Sequence, residues 1–213
     1  MKNLPKVVVA TDVCIFKIIN RDIFVYLTEV HSSGEYSAMK TLPGSLVNLN
    51  ENTDESIKRI VLERTSIDLN SLYSEQLYTF SDIERDRRSR AVSVAYFGLT
   101  SQTDDAGFVS YKKINNLAYD HNKIVNLAFE RVASKLQYTN IASKILPKEF
   151  TYSDLQEVYE LFGGKLIDKR NFRKKFDNLN LLQETNKFRQ EGRMRPAKLY
   201  RFTSTEVKQI DML

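Results

Sequence analysis

The sequence predicts an α+β protein made of two parts, and three observations predict it. Strand-like runs alternate with helices in the first part. The order of elements then changes to helix, glycine turn, helix and hairpin. The charge changes at the same place. The 213 residues, 42% hydrophobic and 28% charged, are enough for a substantial hydrophobic core. The formal net charge is +5, but it is not evenly spread. Residues 139–213 carry 15 Lys/Arg and 10 Asp/Glu, which leaves 17 of each sign in the first 138. Lys165 to Arg201 alone holds 12 basic and 4 acidic residues. Such asymmetry fits a neutral domain joined to a module that meets a polyanion, although a solvated basic surface has the same composition.

Composition also excludes several classes. The single Cys rules out an intramolecular disulfide and Cys-rich zinc sites. No run of about 18 apolar residues exists, so no transmembrane helix and no membrane partner is expected. The start, MKNLPKVVVATDVCIF, lacks a small-residue cleavage site after an apolar stretch, and a cytoplasmic location is expected.

In the first part, Lys6–Ile19 and Ile23–Val30 are rich in Val, Ile, Phe and Tyr, with Asn20-Arg21-Asp22 as a hairpin turn between them. Leu72–Phe80 and Ala91–Leu99 are further strands. Asp54–Thr65 is a helix with Ile57, Ile60 and Val61 at helical spacing. His121–Gln137 is a second helix, with Ile124, Leu127, Ala128, Val132 and Leu136 as its apolar stripe. A mixed or antiparallel sheet is expected.

In the second part, Thr151 caps a helix that runs to Phe162, with Leu155, Val158 and Phe162 on one face. Gly163-Gly164 stops it, because a glycine can take the left-handed cap conformation. Asp168 caps the next helix, which runs to about Leu179. Leu181–Thr185 and Lys198–Thr203 alternate as strands and are joined by a basic loop. This is the order of a winged helix-turn-helix. With Phe172, Phe176 and Leu179 turned to the core, Arg170, Lys174 and Asp177 point outward, flanked by Asn171 and Arg173. A helix that reads bases in the major groove needs this arrangement, since Arg can grip guanine with two donors and Asn can pair with adenine. Lys187, Arg189, Arg193 and Arg195 in the loop suit phosphates or a minor groove. A basic amphipathic helix that only aids solubility fits the same pattern.

The stretch Leu42–Ile67, LPGSLVNLNENTDESIKRIVLERTSI, resembles the Nudix box. Leu42, Pro43, Gly44, Glu51, Arg59, Val61, Glu63 and Ile67 match it in register. Ser45 stands where the pattern begins with Gly, Ile60 and Arg64 replace two of three helix glutamates, and Ser66 replaces the last Gly. In active Nudix enzymes, the resemblance implies, those glutamates hold Mg²⁺ against a diphosphate. A hard divalent cation needs several oxygen ligands. Ile60 offers none and Arg64 brings a positive charge, so no resident metal, no cofactor, no catalytic residue and no hydrolase activity are expected. Arg64 is either a ligand-phosphate contact or a surface helix residue. The alternative is a Nudix hydrolase with a non-standard metal site built from Glu51, Asp54, Glu55 and Glu63.

Further segments carry a wider resemblance: ERDRRSRAVSVAYFGL at Glu84–Leu99, LAYDH at Leu117–His121, DKRNFRKK at Asp168–Lys175 and RPAKLYRF at Arg195–Phe202. The succession resembles the Nudix-related transcriptional regulators of the NrtR family along nearly the whole chain. That resemblance implies a Nudix-like α/β/α sandwich with a mixed sheet over 1–138, sensing an effector. It implies a winged helix-turn-helix over 139–213 that binds double-stranded operator DNA. It further implies a homodimeric repressor whose small-molecule effector is ADP-ribose-like or a sugar. The matching DNA-contact positions are Lys169, Arg170, Asn171, Arg173 and Lys174, with Arg193 and Arg195 in the wing. Arg64, Arg85, Arg88 and Arg90 are the candidate effector contacts, and Arg87 and Ser89 depart from the family's usual Pro and Gly.

Among lone residues, Cys14 reads as a small buried hydrophobe and Asp120 as a helix cap. His31 reads as a loop residue. His121 has no evident partner in the sequence.

Overall fold

The computed structural model describes residues 6–31, 34–190 and 196–210. Contacts divide the chain into two compact units. One runs up to Lys17 and from Ile23 to Ala128; the other holds Ile18–Asp22 and the chain from Phe129 onward. This division falls within a helix, before the boundary at residue 138 that the sequence suggested.

The first unit is built on β1 (Val8–Ile19), which pairs in parallel with β7 (Ala91–Thr100) and antiparallel with β5 (Gly44–Leu46). The main sheet has the order β6-β7-β1-β2-β8, with β2 (Asp22–Tyr26), β6 (Leu72–Phe80) and β8 (Phe108–Ser110) completing it. The sheet is therefore mixed. β1 and β2 are joined by Asn20-Arg21, both with positive φ (47° and 64°), the geometry of a tight two-residue hairpin. The expected strand over Ile23–Val30 is broken at Leu27, and β3 (Thr28–Glu29) leaves to pair with β4 (Lys40–Thr41).

Seven consecutive residues of β1, Thr11–Lys17, are buried. Side chains alternate between sheet faces. Val13 and Ile15 pack into a core cluster with Ile57 and Val61 of α1 (Thr53–Arg64). Cys14 and Phe16 on the other face are also fully buried, so both faces are covered, as in a Nudix-like sandwich. Asn52 caps α1 reciprocally: its side chain accepts from the Glu55 N–H, and the Glu55 carboxylate accepts from the Asn52 N–H. α2 (His121–Lys135) carries the expected stripe, with Ile124, Ala128 and Val132 buried.

The second unit contains α3 (Tyr152–Gly163), α4 (Lys169–Leu179), β9 (Leu182–Arg189) and β10 (Ala197–Phe202). Thr151 and Asp154 form a capping box, and Gly164 ends α3 in the left-handed conformation at φ 65°. Asp168 accepts from the Asn171 N–H and caps α4. Phe172 and Phe176 pack edge-on against Tyr159 of α3, with ring centroids 5.3 and 5.6 Å away. β9 and β10 form the hairpin of a winged helix.

The hairpin differs from expectation. β9 extends to Arg189, so Lys187 and Arg189 lie in a strand and not in the loop. The cause is a bulge. Asn186 has a φ of 60°, Lys198 pairs with Phe188 and Tyr200 with Glu184, and only Leu199 faces the three residues between them. The strand resumes after the bulge where the sequence pattern had broken its alternation. Arg193 and Arg195 lie outside the described residues.

Candidate functional site

The first unit holds an open cavity of about 580 Å³ against β1. Its wall comes from β1 (Val8, Ala10, Asp12), β5, the end of α1 and the loop ahead of β7. Arg64, Arg85 and Arg88 all line it, together with Glu29, His31, Asp86, Tyr119 and His121. Three of the four arginines marked as effector contacts thus meet at one cavity. Arg90 is not in its lining; its guanidinium donates to the carbonyls of Asp82 and Ala91.

The cavity floor is a closed polar network. Arg85, its side chain 4% exposed, donates from Nε and a terminal nitrogen to both oxygens of Asp120, at 3.2 and 2.9 Å. The same terminal nitrogen lies 3.5 Å from Asp12. Asp12 also accepts from the Ser93 hydroxyl at 2.5 Å and lies 3.4 Å from His121 Nε2. Burial pushes the Asp12 carboxyl up, but His121, Ser93 and Arg85 outweigh burial and hold it below the ordinary aspartate value. His121 Nδ1 accepts from the Leu42 N–H at 3.1 Å and lies 2.9 Å from the Thr41 hydroxyl. With Nδ1 accepting, the ring proton belongs on Nε2, facing Asp12.

Two residues take roles that the sequence did not indicate. Asp120 gives both carboxylate oxygens to Arg85, while its backbone carbonyl accepts from the Lys123 N–H at the start of α2. His121 has an acidic partner after all, brought from 109 positions away by β1. The floor also depends on Gly44, which pairs with Asp12 across β5 and β1. A Cβ at Gly44 would lie 1.8 Å from Asp12 Oδ1.

Nearer the opening, Arg88 donates to Asp86 and stacks over Tyr119 at 4.9 Å and Tyr36 at 5.8 Å. Tyr119 is held at φ 58°, a left-handed conformation that costs a non-glycine residue about 1–3 kcal/mol. Such strain at a cavity wall fits a ring fixed for contact. Arg64, in the last turn of α1, is exposed and has no ion-pair or hydrogen-bond partner among the described residues.

The carboxylates of the box-like segment are engaged elsewhere. Glu51 takes two guanidinium nitrogens of Arg59, and that hydrogen bonding draws it down to about 2. Glu63 takes a third Arg59 nitrogen at 3.3 Å. Glu55 caps its own helix, and Asp54 accepts from the Tyr96 hydroxyl. Ile60 is fully buried in the core. Among the described residues no group of three or more His, Cys, Asp or Glu side chains is placed to hold a metal ion.

In the second unit, α4 presents Lys169, Arg170, Asn171 and Lys174 to solvent, opposite the buried Phe172 and Phe176. Lys169, Arg170 and Lys174 form no salt bridge or hydrogen bond among the described residues. Arg173, expected beside them, is drawn back to the scaffold. It donates to the Tyr200 hydroxyl at 3.1 Å, stacks over Tyr152 at 4.8 Å and lies 3.8 Å from Asp177. Lys187 donates to both oxygens of Glu149, and Arg189 pairs with Asp154 at 2.7 Å.

Comparison with known proteins bears on both sites. Residues 142–202 match the model of the NrtR DNA-binding winged helix domain. The "ADPR responsive transcriptional repressor NtrR" of Acinetobacter baylyi is 29% identical over 211 residues, spanning 93% of this chain and 83% of that protein. The crystal structure of Shewanella oneidensis NrtR complexed with a 27mer DNA aligns with a TM-score of 0.79 at 27% identity, covering 92% of this chain and 93% of that one. The NUDIX domain of the same protein, complexed with ADP ribose, shares the fold over 61% of this chain and 91% of its own, with a TM-score of 0.51 and 24% identity. The chain therefore carries an NrtR-type winged helix at residues 142–202, and along nearly its whole length it is similar in fold to Shewanella oneidensis NrtR.

Proposed function

We propose that this protein is a transcriptional repressor that binds operator DNA through its winged helix and responds to an ADP-ribose-like nucleotide held in the Nudix-like cavity. The observation that carries the reading is the outer face of α4. A helix that spends two phenylalanines on the core and leaves Lys169, Arg170 and Lys174 unpaired among the described residues is built for an external polyanion. The likeness to an ADPR-responsive repressor over 93% of the chain supplies the effector class.

In this reading Arg170 and Asn171 reach base edges and Lys169 and Lys174 hold phosphates. Arg193 and Arg195 add wing contacts, and Arg173 positions the helix. Arg64 and Arg88 meet the effector, while Arg85 shapes the floor beneath it. The sensing module extends to about residue 138, and the reading module follows, as the start of the family match at 142 supports. The protein acts in the cytoplasm as a homodimer, because helix-turn-helix readers address paired half-sites. It does not hydrolyse its effector, as the engaged carboxylates of α1 favour.

Fluorescence anisotropy with the protein's own upstream region, with and without ADP-ribose, tests this reading. Preference over random duplex at moderate salt, altered by ADP-ribose, is expected; absence of any preference overturns it. Turnover of ADP-ribose that needs Mg²⁺ and disappears in Glu63→Gln would overturn the non-enzymatic part.

A further inference from the structure

The box-like segment implies a divalent cation, and the residues present do not fit one. Position 60 is a core isoleucine, and the carboxylates of Glu51, Asp54, Glu55 and Glu63 each accept from a protein donor. A hard cation would have to strip Arg59 of its partners and find further oxygens elsewhere. What the end of α1 offers to the cavity instead is Arg64, exposed and unpaired among the described residues.

We propose that Arg64 stands in for the metal, so that the cavity takes a diphosphate-bearing effector without any divalent cation. The proposal rests on the effector reading above. A guanidinium presents five N–H donors in a planar fork that matches two phosphate oxygens at once. It also brings the positive charge that a magnesium ion would bring, on a helix C-terminal turn where the macrodipole favours a cation. The other two arginines of the cavity are less free: Arg85 is committed to Asp120 and Asp12, and Arg88 to Asp86. Among the described arginines of the lining, Arg64 therefore provides the unneutralised charge. The rest of the lining near Arg64 includes Glu29, Asp86 and Tyr119, which are already engaged by Lys40 and Arg88, so Arg64 carries the open contact for a diphosphate.

Isothermal titration of the full chain with ADP-ribose and with inorganic pyrophosphate, each in EDTA and in Mg²⁺, tests this. Equal affinity in both conditions is expected, with a loss of about tenfold in Arg64→Ala and a smaller loss in Arg64→Lys, which keeps the charge but not the fork. Binding that requires Mg²⁺, or an Arg64→Ala variant that binds like the parent, overturns the inference and leaves the effector reading standing. Pyrophosphate bound without metal through Arg64, with ADP-ribose not bound, would uphold the inference and overturn the effector reading. No binding of either probe overturns both.

Discussion

The cavity floor and the outer face of α4 treat basic residues in opposite ways. On the floor, Arg85 is buried and its charge is answered by Asp120 and Asp12. On α4, Lys169, Arg170 and Lys174 are exposed and, among the described residues, unanswered. The difference follows from solvation. A guanidinium taken out of water must be paired, or its desolvation outweighs everything the fold gains there. A cation in water costs little to leave open and remains free for an external partner. An arginine's sequence neighbourhood therefore says less about its role than whether the fold has already neutralised it.

The contrast predicts a descending series of effects. Asp120→Ala removes the bidentate partner of a buried guanidinium and should destabilise the protein by about 3–5 kcal/mol in urea unfolding. A loss under 1 kcal/mol would mean that Asp12 alone satisfies Arg85. Arg170→Ala should leave stability unchanged but weaken operator binding by about 1–3 kcal/mol and relax base preference. Arg173→Ala should instead lower the melting temperature, because its contacts are to Tyr200 and Tyr152. Lys187→Ala should do least. It is already held by Glu149 in an exposed pair worth about 0.2–1 kcal/mol, so the salt dependence of DNA binding should barely change. A fall of about one unit in the slope of log K against log salt would show that DNA displaces Glu149.

Features set by local chemistry were legible in the sequence. Thr151, Gly164 and Asp168 mark helix ends because capping is decided within four residues, and the wet and dry faces of α4 follow from its period. The meeting of Arg64, Arg85 and Arg88 at one cavity was anticipated only as a set of candidates. What escaped was pairing across the chain. His121 meets Asp12 because α2 begins beside β1, and Arg85 meets Asp120 because two loops converge. Neither separation carries a local signal. The bulge at Asn186 interrupts the alternation that identifies a strand, so the sequence pattern alone puts Lys187 and Arg189 in a loop.

Gly44 shows how tightly the floor is specified. The space its side chain would occupy is filled by the Asp12 carboxylate, which in turn holds Ser93, His121 and Arg85. Any larger residue at 44 displaces a buried charge along with a few atoms. Positions 12 and 44 thus behave as one variable: an engineer who wants a new ligand in this cavity must change both together, or leave both alone and work from the outer wall.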